Sequence, residues 1–311
     1  MYSFNADNHR ALIVNYHYCV SEEENPYLAR TAVSPNNFSQ QVAQLACLSE
    51  EYGVTPLITF DDGTSDIWRN AVPVLKRHDV PALLFFCSLP LTEKRLLNVT
   101  KIHLLQAKLG LDKFRSRFMA AWQSVERHHD LDDPKRFNLG PIYRYDIDEV
   151  RAFKLLLNVQ VPYSVVTQIL DDLVEAEFGP QEELVRFIYM SDDEILRARD
   201  AGMQIGLHTH SHFMLGRLDA LEQEEEISAC HDYFSHLLGP GDYQLSYPYG
   251  VLGTWNADTK VILGRRHIRQ AYTLGRRLHD MSQPYDPHEI PRYDVNDVFG
   301  RDGVIKAALV G

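Results

Sequence analysis

The sequence predicts an α/β protein built on a parallel sheet or barrel. Three observations carry that expectation. Apolar strand runs alternate with amphipathic helices over residues 11–87. The same alternation resumes after residue 191. The residues with chemistry to offer stand at the ends of the strand runs, where parallel barrels collect their functional side chains.

Taken in order, residues 11–16 are an apolar run that reads as a buried strand ending at Tyr16-His17. Ser34-Pro35 opens a helix, with Ser as the cap and Pro in the first turn. Phe38, Val42, Leu45 and Leu48 follow at helical spacing, and Gly53 ends it. Residues 55–60 form the second strand, which stops at Asp61-Asp62-Gly63. A helix over residues 65–78 leads to a third strand at 82–87. The alternation then breaks. Segments 96–109, 113–125, 148–157 and 164–177 read as amphipathic helices. Residues 91–190 are therefore expected to be a mostly helical insertion between the third and fourth core strands of a single domain spanning 1–311. Ser191-Asp-Asp-Glu194 has capping-box spacing and starts a helix that runs to Ala201-Gly202. A short strand at 204–207 ends in His208-Thr-His-Ser-His212. Residues 218–238 read as a long helix whose Glu222, Glu224, Glu225 and Glu226 make a solvated face. Segments 244–250, 271–274 and 289–294 complete the strands.

Composition removes several classes of function. With 31 Lys and Arg against 43 Asp and Glu, the net charge is −12, which opposes binding to nucleic-acid phosphates and to anionic membranes. No run of 18 apolar residues offers a membrane span. The first ten residues lack the basic-then-apolar layout of a secretory leader, so a cytoplasmic location is expected. Cys19, Cys47, Cys87 and Cys230 lie far apart with no CxxC pair, and buried reduced thiols are expected. No oligomeric state is legible.

Two features carry chemistry. Asp61 and Asp62 are adjacent carboxylates at the end of a buried strand, a costly arrangement unless a cation neutralises one and leaves the other as a base. The plainer alternative is a solvated Asp-Asp-Gly turn in which one Asp caps the next helix. In the second feature, His208 and His212 would share a face if their segment were a helical turn. If the segment were a strand, His208, His210 and His212 would align on one side. The pattern is not HExxH and brings no Glu base of its own, so the base has to come from elsewhere, the Asp pair being the obvious source. Two imidazoles plus one carboxylate suit a hydrolytic zinc or another divalent ion.

Thr59-Phe-Asp-Asp-Gly63 and His208-Thr-His-Ser-His212 resemble the first two motifs of the polysaccharide deacetylases (NodB-homology, carbohydrate esterase family 4). Tyr247-Pro-Tyr-Gly250 resembles the core of the third motif, and the order agrees. The resemblance covers residues 10–90 and 188–300. It implies a distorted (β/α)7-type barrel and metal-dependent hydrolysis of an N-acyl group on an amino sugar or glycan precursor, in surface-polysaccharide or glycan biosynthesis. By position, Asp61 would be the general base, and Asp62, His208 and His212 the ligands of a divalent ion, zinc first, with cobalt, nickel or manganese as alternatives. His210 would be a bystander, and the backbone N–H of Tyr249 would help to hold the oxyanion.

Two departures stand out. Ser246 occupies the place where the third motif usually opens with Arg, and Arg292 is the candidate to bring that charge to Asp61 from another strand. The usual C-terminal Leu-x-His acid is not evident. His17 resembles an early Tyr-His of some branches and is the candidate acid, ahead of His279 and His288, which read as surface residues. Lys101, His103, Tyr143, Tyr145 and Trp255 are weaker candidates for contacts to sugar or phosphate, set against a solvated helix face or ordinary packing. The alternative activity is a deformylase or amidohydrolase acting on a non-sugar amide through an identical metal site.

Overall fold

The computed structural model describes residues 9–125, 143–300 and 302–306. Strand β1 (Arg10–Tyr16) pairs in parallel along its whole length with β2 (Val54–Phe60). The parallel order continues through β3 (Ala82–Phe86), β4 (Gln204–Leu207), β5 (Gln244–Ser246) and β6 (Gln270–Thr273). A two-residue strand, β7 (His279–Asp280), lies antiparallel against Arg10 and Ala11 at the start of β1.

The last segment closes the ring. Strand β8 (Ile290–Pro291) pairs with β6, and β9 (Tyr293–Asp294) pairs with β1. The chain changes partner at Arg292, so one short stretch bridges the two open edges into a distorted (β/α)7-type barrel. The ring is nearly closed, with the closing edge of β1 paired at Arg10 and Ala11 by β7 and at Val14 and Asn15 by β9.

Alternation along each strand divides the core. Ala11, Ile13, Leu57, Leu83, Phe85, Tyr272 and Ile290 pack together on one face. Leu12, Val14, Ile58, Phe60, Leu84 and Phe86 face the helices. Burial on both faces is why these strands read as unbroken apolar runs.

Helices α1 (Pro35–Ala46) and α2 (Leu48–Tyr52) link β1 to β2, and α3 (Val72–His78) leads to β3. Ser34 caps α1 by accepting from the Asn37 N–H, as its sequence predicts. After β3 come α4 (Leu89–Thr92), α5 (Asn98–Leu109), α6 (Leu111–Ser124), α7 (Asp148–Leu155), α8 (Tyr163–Phe178) and α9 (Gln181–Ile188). Helices α5 to α9 bury their own cluster, which includes Phe114, Phe118, Phe153, Leu157 and Leu170. Helix α10 (Asp192–Asp200) starts from the Ser191–Glu194 capping box and returns the chain to β4. Helix α11 (Ala220–Leu238) follows β4, α12 (Ala257–Arg265) precedes β6, and α13 (Val295–Val298) follows β9. A small cluster of Tyr143, Val159, Met214 and Val251 ties the inserted helices to the loops after β4 and β5.

Two expectations are corrected. Cys47 is exposed at the end of α1, while Cys19, Cys87 and Cys230 are buried, and all four thiols are free. The glutamate run on α11 is not uniformly solvated. Glu222 closes the capping box with Asp219, Glu224 pairs with Arg265 and Arg266, and Glu226 is turned inward. No helix among the described residues is long and apolar enough to cross a membrane.

Candidate metal centre

The turn after β2 is tight. The Asp61 N–H donates to the Tyr16 carbonyl at 3.1 Å, and Asp62 and Gly63 follow with φ of +69° and +70°. Asp tolerates this left-handed conformation better than most residues, and Gly adopts it freely. A Cβ on Gly63 would stand 2.3 Å from the Phe86 ring. Gly63→Ala should therefore cost about 1–3 kcal/mol from overpacking alone. A urea midpoint equal to that of the wild type would refute this account of the turn.

The turn is not solvated, which removes the plainer reading of the Asp pair. Asp61 and Asp62 are only 3% and 2% exposed. Neither serves as a helix cap. The buried Asp66 carboxylate instead accepts from the Cys19 N–H.

The loop after β4 is neither a helical turn nor a strand. Thr209 and His212 have φ of +65° and +62°. Those two left-handed residues direct His208 and His212 toward Asp62, with Nε2 atoms 3.7 and 3.6 Å from its Oδ1. His210 turns away, its ring nitrogens 2.8 Å from Ser88 Oγ and 3.2 Å from Glu93 Oε1.

These three side chains suit a divalent cation. Their ligand atoms lie within 4.8 Å of one another. Both Asp62 carboxylate oxygens are buried with no hydrogen-bond partner among the described residues. Such a group costs several kcal/mol unless a cation satisfies it. His208 Nδ1 lies 2.7 Å from the Ser246 carbonyl, which can only accept. The proton therefore sits on Nδ1, and the Nε2 lone pair faces Asp62. Burial pushes the His212 imidazole down to about 4 despite Asp62 beside it, so at neutral pH it is in its ligand form.

Asp61 has different company. Arg292 Nη1 and Nη2 donate to its two oxygens at 2.9 and 3.0 Å, and Asn15 Nδ2 donates at 3.1 Å. Burial by itself would raise the pKa of Asp61, but Arg292 outweighs it and holds the carboxyl well below the usual range. Three of roughly four lone-pair positions are taken, leaving one to accept a proton. The guanidinium also donates to Asn15 Oδ1, Thr59 Oγ1 and Ser246 Oγ at 2.8, 3.1 and 2.7 Å, and lies over the Phe85 ring. Ser246 thus receives the arginine at the motif position where an arginine is usual. Its small side chain leaves the room that the larger Arg292 fills.

A cavity of about 220 Å³ opens over this cluster. His17, Asp62, His212 and Tyr249 line it, with His103, Tyr143, Lys154 and Asn158 from the inserted helices and their connections. Asp61 and His208 stand behind the wall. Tyr249, with φ +64°, places its ring 5.1 Å from that of His212, and its hydroxyl donates to Asn158 Oδ1 at 3.1 Å.

A family model described as polysaccharide deacetylase matches residues 54–103 and 168–269, which include both the Asp turn and the histidine loop. The chain belongs to the polysaccharide deacetylase family. Membership makes it a hydrolase of carbon–nitrogen amide bonds, in a family of carbohydrate de-N-acetylases. Two solved structures share the fold. The deacetylase PplD of Streptococcus pyogenes, in complex with acetate, is 14% identical, with a TM-score of 0.55 over 97% of this chain and 98% of that one. IcaB from Ammonifex degensii is 17% identical, with a TM-score of 0.53 over 93% of each chain. No curated protein matches the sequence.

Several candidates lie elsewhere in this polysaccharide deacetylase. His279 is buried, not on the surface, and pairs with Ala11 at the N-terminal end of β1, the opposite end of the barrel from the Asp turn. His288 Nε2 lies 2.9 Å from the Ile268 carbonyl, away from the cavity. Lys101 is also buried, 2.5 Å from Asp171, so it is neither a solvated residue nor a cavity contact. Trp255 stacks on Tyr247 at 4.6 Å as packing, and Tyr145 stands 55% exposed outside the cavity. His103 does line the deacetylase's cavity. Burial pushes it down to about 3, so it presents a neutral ring there, with Nδ1 3.2 Å from the Tyr18 hydroxyl.

Sequence reasoning missed Asn15 and Asn158. Asn15 carried a visible signal, a lone amide inside an apolar strand run. Asn158 carried none, since only the fold brings a π-helical turn at 156–160 over the strand ends.

Proposed function

We propose that this chain is a metal-dependent N-deacetylase that removes an acyl group from an amino sugar or a small glycan precursor. The observation that carries this reading is the buried, unpartnered Asp62 carboxylate facing two imidazole Nε2 atoms. Asp62, His208 and His212 would hold the ion, zinc being the first choice and cobalt, nickel or manganese the alternatives. Bound there, it would acidify a water and polarise the amide carbonyl. Asp61 takes the proton of the attacking water at its remaining lone-pair position. The Tyr249 N–H donates to the developing oxyanion, and Arg292 keeps Asp61 ionised and oriented. As the C–N bond breaks, His17, at the cavity wall, gives a proton to the departing amine, and a carboxylate leaves.

Cavity size supports a small substrate. Pockets for drug-sized ligands run roughly 300–1,000 Å³. A cavity of about 220 Å³ matches something nearer a single sugar residue. The inserted helices supply part of its wall, which supports reading residues 91–190 as an insertion within one domain. Family membership supports a setting in surface-polysaccharide or glycan assembly. The acetate complex of PplD supports acetyl as the acyl group.

The test is acetate and formate release from a panel of N-acylated sugar nucleotides and oligosaccharides, with and without chelator. Acetate release that stops on chelation is expected. Formate release from non-sugar amides would replace the reading with the deformylase alternative. Asp61→Asn should lower turnover by about 10²–10⁴-fold while metal content holds. Full activity in that variant would remove Asp61 as the base.

A further inference from the structure

We infer that Glu226 is a positioning residue for the histidine loop, setting the spacing of His208 and His212 from a helix that contributes no ligand. This rests on the metal reading above. The residue comes from a charge run whose other members are occupied or solvated. Glu222 closes the helix cap, Glu224 pairs with arginines, and Glu225 is exposed. Glu226 alone faces the loop. Its Oε2 accepts from the backbone N–H groups of His210 and Ser211 at 3.1 and 2.9 Å, and its Oε1 from Ser211 Oγ at 2.5 Å.

The rest of the loop backbone is held by neutral partners. The His208 N–H donates to the Phe86 carbonyl, and the carbonyls of His208, Thr209 and His210 accept from Cys87 Sγ, Ser88 N and Leu89 N. The Tyr163 hydroxyl donates to the Ser211 carbonyl at 3.2 Å. Glu226 supplies the one carboxylate of this set, and hydrogen bonds to a carboxylate are the stronger kind. Its two backbone bonds sit between the left-handed Thr209 and His212. Thr is β-branched and resists that conformation. Without the carboxylate the His210 and Ser211 N–H groups lose their acceptor, and the peptide between the ligands would shift toward ordinary geometry, carrying the His212 ring away from Asp62.

The test uses the purified full chain. Zn²⁺ affinity is read by competition with a chromophoric chelator, and site geometry by the visible spectrum of the Co²⁺-loaded protein. Glu226→Leu keeps a comparable, helix-compatible bulk but removes the acceptor of all three bonds. It should weaken Zn²⁺ binding about 10–100-fold and change the cobalt spectrum, with the circular dichroism retained. Glu225→Gln, one residue away on the same helix, should leave affinity and spectrum unchanged. Wild-type affinity and spectrum in Glu226→Leu would overturn the proposal. Should that variant not fold, Ser211→Ala decides, since it removes one of the three bonds without touching the helix. Several-fold weaker binding is expected, and wild-type affinity overturns the proposal. If the wild-type protein binds neither ion, the metal reading itself falls, and this inference falls with it.

Discussion

Replacing Arg292 with methionine should destabilise the protein by about 3–5 kcal/mol at neutral pH, the usual consequence of stranding one partner of a buried ion pair. Arg292 is fully buried and engages both Asp61 oxygens. Methionine fills much of the volume but leaves the buried carboxylate with Asn15 as its one remaining side-chain hydrogen-bond donor among the described residues. The sign of the pH dependence follows. In the wild type, Asp61 is held below its ordinary value of about 3.9. Its stabilising contribution is therefore present above that value and is lost as pH falls through the depressed folded one. In the variant, burial acts without the guanidinium, and the folded pKa rises above the unfolded value. The carboxylate then destabilises the fold at neutral pH, and protonation relieves this as pH falls. The stability gap between wild type and variant should be widest at pH 7 and narrow toward pH 4. The acid limb of the kcat/KM profile should move to higher pH. Urea denaturation at the two pH values and a pH–rate series measure both effects. An equal gap at both, with an unmoved limb, would refute the electrostatic role of Arg292. Lysine should rescue little, because a point charge cannot reproduce the forked contact.

Asp62→Asn should have opposite effects on the metal-free and metal-loaded states. In the metal-free protein the wild-type carboxylate is buried without a hydrogen-bond partner. Removing that charge should raise metal-free stability by about 1–3 kcal/mol. Asn accepts the same left-handed backbone, so the turn itself is not strained. With Zn²⁺ added at 100 times its dissociation constant, the wild type should gain about 2.7 kcal/mol, and the variant nothing. Turnover in the variant should fall below detection. Thermal unfolding with and without Zn²⁺ checks both signs together. A variant that keeps the zinc-dependent rise in Tm would remove Asp62 from the ligand set.

These two residues also mark how far the sequence could be read. Asp62 was accessible because a strand run and a following Asp-Asp-Gly are local features, spelled out within a few residues. The histidine loop was accessible as composition but not as conformation. Both regular geometries considered for it fail, because two non-glycine residues adopt positive φ under tertiary constraint, which no local propensity encodes. Arg292 was reachable only through an absence, the Ser246 found where an arginine was expected. His279 was misplaced on the surface because a two-residue strand leaves no periodicity to detect.

Order and kind of element follow from the linear chain, since apolar periodicity, capping residues and glycine turns act over a few positions and are written directly in the residues. The polysaccharide deacetylase motifs belong to the same local level. Tertiary structure alone decided which distant side chains meet. Arg292 reaches Asp61 because the chain switches strand partners at that residue to close the ring. Glu226 reaches the histidine loop because α11 packs against the barrel beside β4. Such contacts are set by the free energy of burying whole faces of helix and sheet, a sum over many residues that no short stretch of sequence contains.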